Sequence, residues 1–207
     1  RRWLGYRAAH VLNVPRFAAS ALFRLGDFAG VLGWRPPVRS TARSEMLRGA
    51  VGDPRPWKEL TGIKPQDIES ALAAELPSVQ ERWFARLYLL KALVFAVLSL
   101  FWLGTGLIAL GPGFQIGKEL MQDGGAGKLA GPSVIAGALA DVAIGIAIAL
   151  RPFARVALYA ALVVSLFYAV AGTVLVPRLW ADPLGPMLKI LPIVVLNMVA
   201  LAILDDR

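Results

Sequence analysis

One acidic residue lies where a carboxylate is hardest to accommodate. Asp141 sits about nine residues into the apolar run 133–150, near the middle of a stretch long enough to cross a bilayer. A charged side chain at that depth costs at least ~2.5 kcal/mol on insertion scales, so the group must face other helices, pair, or be protonated. Gly137 and Gly145 lie four residues to either side on the same helix face, a pattern that lets a neighbouring helix approach closely. Two roles fit Asp141: a proton-handling or quinone-binding group, or a structural hydrogen-bonding residue between packed helices.

Lys189 is the basic group best placed to answer it. At 1.5 Å per residue, Asp141 lies about 12 Å and Lys189 about 6 Å inside the same side of the membrane. That spacing predicts an intramembrane ion pair; the alternative is that Lys189 extends to the headgroups. Asn197 is polar near the middle of the last apolar run, and Ser165, Tyr168 and Gly172 fall on one face of the run before it. With Asp141 they are candidates to line one internal polar pocket, or else to join helices. Trp180 and Asp182 fall at an expected membrane interface, the first as an aromatic anchor and the second as a helix cap. Arg86 and Lys91 are expected to reach the opposite, cytoplasmic face, where an anionic headgroup is a possible ligand. Glu119 and Asp123, one helical turn apart beside Lys118 and Lys128, read as solvated surface.

The elements that must position these residues are apolar helices. Of 207 residues, 57% are hydrophobic and only 17% charged, against about 25% charged in ordinary soluble domains. The mean hydropathy is +0.61. Four runs stand out, at about 87–110, 133–150, 153–176 and 184–204, each long enough for a helix to cross about 30 Å of hydrocarbon. None shows the polar stripe of a soluble helix. The expected fold is an all-α membrane protein, a four-transmembrane-helix bundle over residues 83–207 preceded by a short, mainly helical cytoplasmic segment, residues 1–82. Gly111-Pro112-Gly113 ends the first run, Arg151-Pro152 turns the second into the third, and 177–186 turns the third into the fourth. Within the loop 111–132, residues 114–123 read as a short interfacial helix.

Composition also limits the chemistry. The chain has no cysteine and one histidine, His10, which excludes disulfides and thiolate metal sites and leaves no basis for a histidine metal cluster or a Ser-His-Asp triad. Its net charge is +8. The arginines are scattered beside apolar helices without an aromatic-interleaved basic stripe, so anionic lipid is the expected partner and nucleic acid is not. Arg82, Arg86, Arg151, Arg155 and Arg207 fall on one side if four spans alternate, which predicts both termini in the cytoplasm.

Residues 1–82 hold 13 of the 22 Lys/Arg and 8 of the 14 Asp/Glu. They read as an amphipathic helix from Pro15 to Val31, a short helix capped by Ser40 and running to Leu47, and a helix opened by Lys64-Pro65 and running to about Glu75. Pro77 starts a helix that continues into the first span. The chain begins Arg1-Arg2-Trp3 with no Met and no signal-peptide pattern, so residue 1 is expected to lie inside a longer protein.

From Arg82 onward the chain resembles the DoxX-like family of four-helix membrane domains. The likeness is carried by Glu81-Arg82-Trp83-Phe84-Ala85-Arg86-Leu87-Tyr88, Leu100-Phe101-Trp102, Ala138-Leu139-Ala140-Asp141 and, most specifically, Leu179-Trp180-Ala181-Asp182-Pro183-Leu184-Gly185-Pro186 with Lys189 and Pro192. The first part is similar to the tail of atypical short-chain dehydrogenase/reductase proteins, through Gly26-Asp27, Leu32-Gly33-Trp34-Arg35-Pro36-Pro37, Gly52-Asp53, Trp57 and Thr61-Gly62-Ile63. Together these resemblances imply a bacterial inner-membrane protein whose preceding half would bind NAD(P). The chain itself has no glycine-rich nucleotide fingerprint and no Tyr-x-x-x-Lys pair, so no cofactor residue can be assigned in it. Some DoxX-like relatives are tied to quinone-linked or thiol-linked redox systems; without cysteine, only a quinone or lipid ligand carries over.

Two functions follow as expectations. One is the membrane anchor of an NAD(P)-dependent reductase-like protein, with a quinone or lipid held in the bundle. The other is a non-enzymatic interaction or assembly module whose polar residues are structural. Transport is less expected, because four spans with one buried acid leave little room for a pathway unless the chain forms an oligomer.

Overall fold

The computed structural model describes residues 2–7, 10, 13–49 and 51–205. Among them all regular structure is helical, and it falls into two compact units: Arg1–Val31 with Arg35–Leu89, and Leu32–Trp34 with Leu90–Arg207. Arg207, used above to orient the chain, lies outside the described residues.

The first unit holds α1 (Arg16–Val31), α2 (Ser40–Arg48), α3 (Arg55–Thr61), α4 (Ile68–Ala74) and the start of α5 (Val79–Leu110). Local chemistry sets most of these ends. Asp67 caps α4 by accepting from the Ser70 amide at 2.9 Å and the Ser70 hydroxyl at 2.6 Å, so the helix starts at Ile68 rather than at the Lys64-Pro65 opening expected from sequence. Those two bonds hold the Asp67 carboxyl below its ordinary pKa. Ser40 is not a cap: Arg39 is the N-cap residue, and the Ser40 amide donates to the Asp27 carboxylate of α1 at 3.1 Å. Ser78 and Glu81 bond each other reciprocally at the start of α5, a capping box.

The second unit holds the rest of α5, then α6 (Phe114–Asp123), α7 (Ala130–Ala149), α8 (Ala154–Leu175) and α9 (Ile190–Ile203), with 3-10 turns at Gly127–Leu129 and Pro177–Trp180. α6 has the bounds expected from sequence. α7 packs on α6 and α8, and α9 packs on α8. One buried cluster draws Phe95, Leu98 and Trp102 from α5, Ile144 and Ile148 from α7, small residues from α8, and Ala200 with Leu204 from the last helix and its end. Along α8 the buried side chains, apart from Leu158, are small and the exposed ones bulky. α8 buries Ala154, Ala157, Leu158, Ala161 and Ser165 and exposes Val156, Val163, Leu166, Phe167, Val170 and Val174. A water-soluble protein does not present so continuous an apolar face, whereas small residues inside and bulky ones outside suit helices packed in lipid.

Among the described residues, three helices are long and apolar enough to cross a membrane: α5, the 23-residue stretch Gly127–Ala149, and α8. The expected fourth span, 184–204, is shorter than its apolar run. α9 has 14 residues, about 21 Å at 1.5 Å per residue. The reason is backbone chemistry that hydropathy does not weigh. The Asp182 carboxylate accepts from the Leu184 amide at 2.8 Å and its carbonyl from the Gly185 amide at 2.9 Å. Pro183, Pro186 and Gly185 at φ +58° hold that stretch in turns. Asp182 thus organises a turn eight residues ahead of Ile190 and does not cap α9; the residue at that N-cap is Lys189, with no side-chain capping bond.

Candidate functional site

Three helices bring polar side chains together in the interior of the second unit. Asp141 of α7 is 7% exposed. Its carboxylate accepts from the Tyr168 hydroxyl of α8 at 2.9 Å, and the same hydroxyl lies 3.4 Å from the Gly137 carbonyl. Thr105 of α5 lies beside the Asp141 carboxyl, with its hydroxyl donating to the Trp102 carbonyl at 3.0 Å. A buried polar group in hydrocarbon must find partners within the protein, and the Tyr168 hydroxyl is that partner for Asp141.

Glycines allow the helices to come this close. A Cβ at Gly145 would lie 2.6 Å from the Leu103 amide nitrogen and 2.9 Å from the Ser99 carbonyl oxygen; one at Gly106 would lie 2.6 Å from the Ala138 carbonyl oxygen. The backbones of α5 and α7 therefore meet on either side of Thr105 and Asp141, and the Ser99 hydroxyl donates to the Gly145 carbonyl at 2.8 Å. Gly137 serves a different neighbour: its missing side chain leaves room for the Tyr168 hydroxyl, 3.1 Å from where a Cβ would stand.

Two polar atoms in this unit are buried without a hydrogen-bond partner among the described residues. They are the Trp102 indole Nε1 and the Asn197 Oδ1. Trp102 lies three residues before Thr105, on the same face of α5. Asn197, fully buried on α9, donates its amide to the Ile193 carbonyl at 2.9 Å. Ser165 is buried one helical turn before Tyr168.

The expected ion pair is absent. Among the described residues no salt bridge joins Lys189 to Asp141, and Lys189 is exposed. Because 181–189 is held in turns, Lys189 precedes α9 instead of lying one turn inside a span, and Asp141 finds its partner on α8. Of the residues singled out from sequence, the structure joins Asp141 and Tyr168 directly and buries Ser165 and Asn197 in the same unit. Thr105 and Trp102 were missed as site residues. Their signal was the three-residue spacing Ser99, Trp102, Thr105 along α5.

The interfacial residues take separate places. The Trp180 indole donates to the Thr173 hydroxyl at 3.1 Å. Asp123 is exposed, as expected of solvated surface, and pairs there with Arg178. Arg178, Leu179, Ala181 and Asp182 line, with Leu120, a cavity of about 310 Å³. Arg86 donates to the Tyr6 hydroxyl at 3.2 Å and lies 5.7 Å from that ring. At another end of the second unit, Arg151 and Lys91 both donate to the Leu204 carbonyl, at 2.9 and 3.5 Å, and Asp205 pairs with Arg155 and Arg151. The Arg155 guanidinium holds the Asp205 carboxyl below its ordinary pKa.

No curated protein and no solved structure matches the chain. The motifs that resemble a dehydrogenase/reductase tail lie before the first residue of the family match. That match takes in Thr105, Asp141, Ser165, Tyr168, Trp180, Asp182, Lys189 and Asn197: residues 99–198 are similar to the DoxX-like family, which together with three long apolar helices points to a lipid bilayer as the environment of this chain.

Proposed function

We propose that this chain is the membrane-anchoring part of a bacterial NAD(P)-dependent reductase-like protein, and that a quinone is held at the polar site between α5, α7 and α8. The observation that carries the quinone reading is the buried Trp102 indole N–H, which has no acceptor among the described residues and lies one turn before Thr105 on α5, beside Asp141. Orphaned buried donors in native proteins are rare and call for an unseen partner. A quinone offers two carbonyl acceptors on a flat apolar ring and dissolves in the bilayer.

The anchoring reading has its own support. α1–α4 bury a single residue, Gly26, and expose Phe17, Phe28, Trp57 and Leu60. Helices with such faces need cover from a further domain, and a reductase-like half would supply it. For the membrane we propose four crossings, with α9 and the turn before it as the fourth, and both termini in the cytoplasm of a bacterial inner membrane. Arg151, Arg155 and Lys91 gather where the α7–α8 turn meets the end of α9, and basic residues favour the cytoplasmic side.

The test of the quinone site is a titration of the chain in nanodiscs with a menaquinone analogue, followed by quenching of tryptophan fluorescence. Trp102→Phe removes the indole donor and is expected to weaken binding about fivefold to tenfold, the size of one neutral hydrogen bond; Tyr168→Phe, which loses the hydroxyl that holds the Asp141 carboxylate, is expected to weaken it by a smaller factor. Quinone affinity unchanged in both variants would overturn the reading. It would favour the second one, a non-enzymatic module with structural polar groups, for which the Ser99–Gly145 bond speaks because it joins two helices and nothing else.

A further inference from the structure

Three residues from the N-terminal part of the chain belong to the second unit. Leu32–Trp34 is grouped with the bundle, while the residues on either side, up to Val31 and from Arg35, are not. The contacts explain why. The Trp34 indole donates to the Ala149 carbonyl at 2.7 Å, one of the last carbonyls of α7 and so without a partner inside its own helix. The Arg151 amide donates to the Leu32 carbonyl at 2.9 Å. The Trp34 ring packs 4.6 Å from the Phe95 ring, and the Arg151 guanidinium lies 5.5 Å from its centroid. Trp34 thereby joins the rim of the buried cluster.

Gly33 makes the fit possible. Its φ is +89°, a conformation side-chain-bearing residues rarely adopt. A Cβ there would stand 3.0 Å from the Arg151 Cβ and 3.4 Å from the Pro152 Cδ. A left-handed glycine pressed on the α7–α8 turn therefore lets Leu32 and Trp34 bond on either side of it. Arg151 is the hub. Besides holding Leu32 and Trp34, it donates to the Leu204 carbonyl at 2.9 Å and lies 3.7 Å from Asp205.

We infer that the rim of the bundle formed by the end of α7, the α7–α8 turn and Phe95 is a docking site for a Leu-Gly-Trp segment, which this chain fills with its own Leu32, Gly33 and Trp34. This hold is noncovalent and long-range, with 115 residues between Trp34 and Ala149 in sequence. The inference does not depend on the quinone reading, since none of these residues lies at that site.

Hydrogen exchange of the full chain in nanodiscs tests it, read by mass spectrometry on a fragment covering 149–154. The Arg151 amide is expected to exchange slowly in the native protein. Trp34→Ala and Gly33→Val are expected to speed it about tenfold or more while fragments from 156–175 keep their protection, since loss of one local hold leaves the remaining foldon closed. A second measurement covers the case in which these variants loosen the whole bundle. Chymotryptic cleavage after Trp34 is expected to be slow in the native chain and about tenfold faster in Arg151→Gln. An unchanged Arg151 amide in folded Trp34→Ala, or cleavage after Trp34 as fast in the native chain as in Arg151→Gln, would overturn the inference.

Discussion

Asp141 illustrates why a buried acid in a membrane helix calls for partners more than for an opposite charge. Its hydrogen bond with Tyr168 links α7 to α8, and Thr105 brings in α5. Interhelical hydrogen bonds in membranes average about 0.6 kcal/mol in double-mutant cycles, with a maximum near 1.7 kcal/mol. A cycle built from Asp141→Ala and Tyr168→Phe, with stability read by unfolding in mixed micelles, is therefore expected to give a coupling of about 1 kcal/mol. A coupling near zero would mean that the two groups do not hold the helices together. The need of Asp141 to face inward was legible in the sequence, because burial follows from apolar neighbours and flanking glycines. Its partner was not. Charge reasoning chose Lys189, but which side chains meet depends on how α7, α8 and α9 are rotated about their axes, and on where α9 begins. Neither follows from the order of apolar residues.

At the scale of elements, apolar runs located α5, α7 and α8, and glycine-bounded polarity located α6. The start of α9 was misplaced because Leu184, Met187 and Leu188 count as membrane-like while Pro183-Leu184-Gly185-Pro186 forbids a helix through them. The contact between α5 and α7 rests on absent side chains, and glycines far apart in sequence give no sign of which of them face each other. Gly145→Val places a methyl-bearing carbon against the Leu103 amide and the Ser99 carbonyl, which are backbone atoms and cannot move alone. It is expected to cost about 1–3 kcal/mol or more, as overpacking does, and to break the Ser99–Gly145 bond. Gly104→Ala on α5 meets nothing within 4 Å and is expected to leave the melting temperature unchanged or slightly raised, because alanine is the better helix former. Thermal unfolding of both variants in the same detergent separates the two cases; equal behaviour would show that the close approach is not what holds these helices.

For the whole molecule, composition already divided the chain into a polar, basic first part and an apolar second part. The two units of the structure differ from that division in two places: the first runs on to Leu89, and Leu32–Trp34 belongs to the second, which composition could not anticipate. The proposed anchor and quinone site both depend on the membrane and on how often the chain crosses it. Because the chain has no cysteine, single cysteines report their side of the membrane without background. The most direct measurement places one at Val51, Ala126, Phe153 or Ala181 and labels cells with an impermeant thiol reagent before and after permeabilisation. Four crossings with cytoplasmic termini predict labelling of the cysteines at 126 and 181 in intact cells, and of those at 51 and 153 only after permeabilisation. Labelling of 153 and 181 from the same side, or of 51 in intact cells, would contradict it.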